Sequence, residues 1–392
     1  MKYLFKNIKE PLSHEETNNY KLIFPFALPG FLLGTGIWLF DLDYSFQRMW
    51  HPYLLIHSML FPIVLGFLWT GIPRFIASVY PSQRLKITYV ILLLLNLASF
   101  SFQSIFLYKL FMFISYAGLL FWFFGFIRKR KVSPPAVLSF LFAALFAGFL
   151  GTGIIFLSEF MHIPQILKDF GFNQHRYVFF ILLITAVGSR MIPVIEQKQI
   201  TGKERLSISS LKISRHPYFW YINSLIIYTL LSIPVQIHTP AVSIIRVLVF
   251  LFIAKEIWYL FNPGKNRDMA AGFLILIQFI LIISPLIHLI SGISMISSFH
   301  FFFIGVLFLT VMIISARVVL SHGGYGLRKE KKSLYFSAAY GIVICAMLLR
   351  TFSEYFFQWA DIYRISIYLL LASTALWLLE IFHSVFFERK TG

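Results

Sequence analysis

Stretches of about twenty apolar residues recur along this chain, and each is long enough to cross the ~30 Å of hydrocarbon in a bilayer. They run over 22–40, 52–73, 87–106, 108–127, 134–157 and 176–195, then 219–234, 241–261, 270–291, 296–320, 334–353 and 362–387. No long strand of alternating polar and apolar residues occurs. Backbone groups in lipid must be satisfied inside a helix or a closed barrel, so these twelve segments are expected to be helices. The expected fold class is an all-α membrane protein of about twelve transmembrane helices. Composition agrees: 58% of residues are hydrophobic and 13% charged, against about 45–50% and about 25% in soluble domains.

The positive-inside rule gives an independent test of the count. Of the 34 Lys and Arg residues, 24 fall in alternate segments that include both termini, and only Arg48, Lys109, Lys168 and Arg176 fall in the others. One miscounted helix would scramble that split. The reading is a multi-pass membrane protein with cytoplasmic ends. It comprises an N-terminal segment 1–21, one transmembrane domain 22–387 and a tail 388–392. The net charge of +18 is thus a topology signal and a contact for anionic lipid, and nucleic acid is not an expected partner. The single cysteine, Cys345, excludes an intrachain disulfide and is expected to be a small buried hydrophobe.

With the topology set, each histidine acquires a depth. His14, His216, His322 and His383 lie at inner ends, whereas His51, His57, His162, His175, His238, His288 and His300 lie in the outer half or outer loops. His57 and His300 both enter the bundle from the outer face, and imidazole suits Fe, Cu and Zn. They are the candidate metal or haem ligands. His51 and His57, six apart, are about 600° apart around a helix and do not share a face. His51 is therefore expected to be interfacial, beside Trp50. The second, sixth and tenth segments each carry an outer histidine (His57, His175, His300) and an inner arginine (Arg74, Arg190, Arg317). That pattern suggests three units of four helices, an architecture similar to the catalytic subunit of haem-copper oxidases, although the paired copper histidines of those enzymes have no counterpart.

Three motifs point further. "IHSMLFPIVLGFLWTGIP" at 56–73, "GSRMIP" at 188–193 and "FHFFFIGVLFLTVMIISARVVLSHGG" at 299–324 resemble, in order, motifs of the NnrS family. That family comprises haem- and copper-containing membrane proteins linked to nitric oxide metabolism and nitrosative stress. The resemblance implies haem and copper as cofactors and nitric oxide or iron-nitrosyl species as partners. Any enzymatic activity would be haem-dependent redox chemistry on these. Carried over by position, the family histidines fall on His57, His300 and His322 and the motif arginines on Arg190 and Arg317. Two family positions differ: the first histidine of the helix-2 motif is Leu55 and its glutamate is Ser58. A further family histidine early in the ninth segment has no equivalent in "AAGFLILIQF", leaving His288 at the other end of that segment as a substitute ligand only in a different site.

Away from the resemblance, Arg190 and Arg317 near inner helix ends have three readings: snorkelling to headgroups or structural pairing, anion binding, or a second site with His322 and Arg74 at the inner face. Arg246, Arg350 and Arg364 lie toward the outer ends, where they could pair with haem propionates. Glycines in "GTGIWLF" (34–40) and "GFLGTGIIF" (148–156) read as close helix packing. From another class, twelve helices with cytoplasmic ends also describe secondary transporters, but no pair of matching halves is evident. A scaffold that matures another metalloprotein is a third reading.

Overall fold

A computed structural model describes residues 19–75, 78–131, 138–195, 240–258, 260–261, 268–290, 293–322, 333–356 and 359–387. The described residues form eleven helical rods and no strand. They are α1 (Tyr20–Leu39), α2 (44–75), α3 (Gln83–Ser101), α4 (Ile105–Arg128), α5 (Leu138–Leu157) and α6 (165–195), then α7 (240–257), α8 (269–289), α9 (295–322), α10 (Leu334–Tyr355) and α11 (Trp359–Phe387).

Nine of the described helices are long and apolar enough to cross a membrane, and the chain is a multi-pass membrane protein. Of the twelve expected segments, 176–195 lies within α6 and 241–261 begins in α7, while 219–234 lies outside the described residues. The described residues therefore show eleven helices and establish neither the count of twelve nor a division into three oxidase-like units.

Neighbours in sequence pack as neighbours in space from α1 to α6 and from α7 to α11, and α1 meets α11 to close the ring. Further contacts join α2 to α9, α6 to α7 and α8, and α9 to α11. Burial shows which helices are central. The apolar windows of α2 and α9 are 78% and 72% buried, whereas those of α3 and α11 are 28% and 22% buried. The outer helices give the lipid side chains such as Phe121, Leu94 and Leu379. Cys345, expected inside, is exposed on the lipid side of α10, because apolar surroundings in a membrane need not mean protein.

Without a hydrophobic drive between helices in lipid, close backbone approach and polar contacts hold the bundle. A Cβ added at Gly30 of α1 would lie 2.3 Å from the Ser58 carbonyl carbon and 2.6 Å from the Met59 nitrogen of α2. One at Gly151 of α5 would lie 2.6 Å from the Gly171 oxygen and the His175 nitrogen of α6. Both helices that carry "GTG" therefore pack as their glycines suggest.

Four of the described helices contain a π-helical turn: Leu54–Leu60 in α2, Gln174–Val178 in α6, Ile253–Ile257 in α7 and Phe303–Phe308 in α9. Such turns are rare and gather at functional sites. The one in α2 begins two residues after Pro52, whose missing N–H already opens the helical ladder. His57 and His175 lie inside their turns, and His300 lies three residues before its own.

Candidate functional site

α2 starts well before its apolar stretch. Asp43 caps it by accepting from the Phe46 amide and the Ser45 hydroxyl, bonds that hold the Asp43 carboxyl below its usual range. The Gln47 side-chain amide then donates to the Ile37 and Phe40 carbonyls at 3.0 and 2.9 Å, fastening this polar turn to the end of α1. His51, half-buried on the next turn, bonds through Nδ1 to the Gly34 carbonyl at 2.7 Å.

Across from it stands His300. α9 begins at its N-cap Ser294, and Glu354 of α10 accepts from the Ser294 amide and hydroxyl at 2.6 Å and from the Ser297 hydroxyl at 2.8 Å. His300, one turn on, bonds through Nδ1 to the Ile296 carbonyl at 2.7 Å. The His51 and His300 ring centroids are 6.0 Å apart with planes 25° from parallel. Each Nδ1–H is anchored on a backbone carbonyl, so the tautomer is fixed and the Nε2 lone pair is left available. Metal-bound histidines are commonly held this way. Two imidazoles sharing one metal at about 2.0–2.1 Å per bond would have centroids roughly 6 Å apart.

An aromatic wall backs the pair. The Trp38 ring meets His51 at 5.6 Å and Tyr363 at 5.6 Å, and Arg350 lies 4.8 Å over the Tyr363 ring while donating to the Ser297 hydroxyl at 3.0 Å. A Cβ built on the buried Gly36 would meet nothing within 4 Å. Imidazole is the donor type that iron and copper centres use, and no group of three His, Cys, Asp or Glu that could hold a metal occurs among the described residues.

His57 faces elsewhere. It is fully buried with its ring near Phe61 (4.9 Å), Tyr116 (5.8 Å) and Tyr108 (5.9 Å). Tyr116 in turn meets His175 edge-on at 5.3 Å. The expected pairing of His57 with His300 is not what the fold brings together; His57 shares a cluster with His175, and His300 shares one with His51. His51 and His57 are six residues apart on one helix, so the two clusters are separated by about 9 Å of rise.

The two departures from the family motif have clear surroundings. Leu55 packs on α1 where a Gly34 Cβ would stand, 2.8 Å from its Cδ2. His51 bonds the carbonyl of that same Gly34. One helical turn separates the two positions, so the imidazole absent at 55 is present four residues earlier, on the face that meets α9. Ser58 donates to Asn96 Oδ1 at 3.0 Å and lies 2.7 Å from the Tyr108 hydroxyl, which donates to the Tyr53 carbonyl at 2.7 Å. Ser58→Ala is expected to cost about 1–3 kcal/mol by stranding these buried partners, measured as a lower thermal midpoint in detergent with the helical circular dichroism retained.

Of the remaining candidates, Arg317 is half-buried on α9. Arg190, His322 and His288 sit on described helices, but their side chains lie outside the described residues, as does that of Arg74. Sequence reading missed His51 as a site residue and used His175 only as part of a period.

The NnrS family profile, described as "NnrS protein", matches residues 18–389. No curated protein matches the chain. With nearly its whole length covered, the chain belongs to the NnrS family.

Proposed function

We propose that this chain is a haem-binding protein of the bacterial inner membrane, with cytoplasmic termini, that handles nitric oxide or its iron-nitrosyl adducts. The observation that carries the reading is the facing of His51 and His300, each with Nδ1 tied to a carbonyl, across α2 and α9, whose apolar windows are 78% and 72% buried. A bound haem iron would supply a one-electron centre with affinity for nitric oxide. His51 and His300 would hold that iron. Trp38 and Tyr363 would exclude water from one side, and Arg350 would supply positive charge for a carboxylate. Family membership supports the same direction, since NnrS proteins as a group are associated with haem and nitric oxide.

Protein purified in detergent from haem-replete cells is expected to show a Soret band that shifts when the reduced sample meets nitric oxide. A folded preparation with no Soret band would end the haem reading. A band indifferent to nitric oxide would end the reading for the gas.

A further inference from the structure

Segment alternation leaves only four of the 34 Lys and Arg residues in loops opposite the chain ends: Arg48, Lys109, Lys168 and Arg176. Three of those four line one cavity of about 410 Å³. They reach it from three helices, Arg48 from α2, Lys109 from α4 and Arg176 from α6. Topology requires no such gathering of the few basic residues on the depleted face, whereas a cleft walled by one sign of charge concentrates ions of the other.

The three cations are not equally satisfied. Lys109 is paired with Glu159, but no carboxylate pairs with Arg48 or Arg176 among the described residues. The Arg176 guanidinium stands 4.4 Å over the Phe172 ring and 5.3 Å over the Tyr53 ring, and its buried Nε has no hydrogen-bond partner among the described residues. Aromatic faces attract a cation without neutralising it, and a cation drawn out of water is costly until an anion meets it. Arg48 and Tyr44, which also line the cavity, are exposed at its rim and leave it open to a ligand.

Charge and size narrow the anion. With Lys109 offset by Glu159, two guanidiniums stand unopposed, enough for the roughly −1.5 to −2 of a phosphate monoester. One guanidinium fork fills the two oxygens of a carboxylate, whereas a phosphate group can take forks from two. A bare phosphate would occupy a small part of this volume, which lies in the range of about 300–1,000 Å³ typical of organic-ligand pockets. Tyr44, Tyr53 and Phe172 offer aromatic surface to the organic part.

We propose that Arg48, Lys109 and Arg176 bind the phosphate group of an organic phosphate ester, presented by a phospholipid headgroup or by a soluble ester on that side of the membrane. The site is separate from the His51–His300 pair and needs no haem.

The test is calorimetric titration of the full chain in non-ionic detergent with dihexanoyl phosphatidylglycerol and with glycerol 3-phosphate. Dihexanoyl phosphatidylcholine, with the same chains and no net charge, is the control. Saturable binding of one ligand per chain is expected: of the lipid alone if the headgroup is the source, of glycerol 3-phosphate as well if it is a soluble ester. Arg48→Gln and Arg176→Gln should each weaken it by roughly tenfold or more, as loss of a charged hydrogen-bond partner implies. Lys168→Gln removes the same charge from the same face but not from the cavity, and should bind as wild type does. Folded wild type that binds neither phosphate ligand would overturn the proposal, as would equal binding of phosphatidylcholine or an equal loss in Lys168→Gln. If Arg176→Gln does not fold, Arg48→Gln at the exposed rim decides, and full binding there refutes the site. The Soret band is read on the same samples. Its loss in folded Arg48→Gln or Arg176→Gln would give the cavity to a haem propionate and overturn the proposal, whereas phosphate binding by wild type without a Soret band supports it and refutes the haem reading alone.

Discussion

His51→Ala is expected to abolish the Soret band of the haem-loaded protein as fully as His300→Ala, a drop of at least tenfold in haem per chain with the helical signal unchanged. The two imidazoles face each other at 6.0 Å and share one anchoring scheme. Loss of a group that merely orients a metal ligand typically costs 10- to 100-fold in affinity, so removing a ligand itself should cost no less. His51 is half-buried at the start of α2, and its removal leaves no large core cavity, which separates ligand loss from unfolding. Adding Leu55→His to His51→Ala should restore part of the band, since position 55 lies one turn along the same face and against the same Gly34. A full band in His51→Ala would remove His51 from the site.

Gly30→Leu is expected to prevent accumulation of folded protein altogether. The atoms its Cβ would strike, 2.3–2.6 Å away, belong to the backbone of Ser58 and Met59, and no rotamer change relieves them. Overpacking a core typically costs about 1–3 kcal/mol for added methylenes. Here a whole branched side chain would wedge α1 from the largely buried α2, against a total stability of roughly 5–15 kcal/mol. Gly30→Ala should fold with a lower thermal midpoint and weaker haem retention, because α2 carries His51. Gly125→Ala is the control: a Cβ there meets nothing within 4 Å, and its midpoint and haem content should match wild type. Size-exclusion profiles and thermal melts of the three variants check this.

The apolar segments were legible because lipid leaves the backbone no other satisfied form than a helix. Stretches 108–127, 270–291 and 334–353 lie within a few residues of α4, α8 and α10. The helix starts were not legible. α2 begins at Tyr44 and α6 at Gln165, each some ten residues before its apolar run. These opening turns are polar, and tertiary bonds such as Gln47 to the α1 carbonyls hold them in the bundle. Both histidines that sequence reading undervalued lie there: His51 looked interfacial and His175 looked like a helix entrance. The glycine contacts were legible because a stripe of small residues has few uses in lipid besides close packing. Partnerships were not, since whether His57 meets His300 or His175 depends on π-helical turns and helix rotations that leave no periodic trace. The motif likewise marks Leu55 and Ser58 as departures, but only packing shows His51 bonded to the Gly34 carbonyl one turn before Leu55 and Ser58 bonded to Asn96 and Tyr108.

The pairing of His51 with His300 is tested most directly by electron paramagnetic resonance of the oxidised, haem-loaded protein at low temperature. If both imidazoles hold the iron, a low-spin ferric signal is expected in wild type, replaced by a high-spin signal or by none in His51→Ala and His300→Ala. A high-spin ferric signal from wild type, or a low-spin signal that survives His51→Ala, would contradict it.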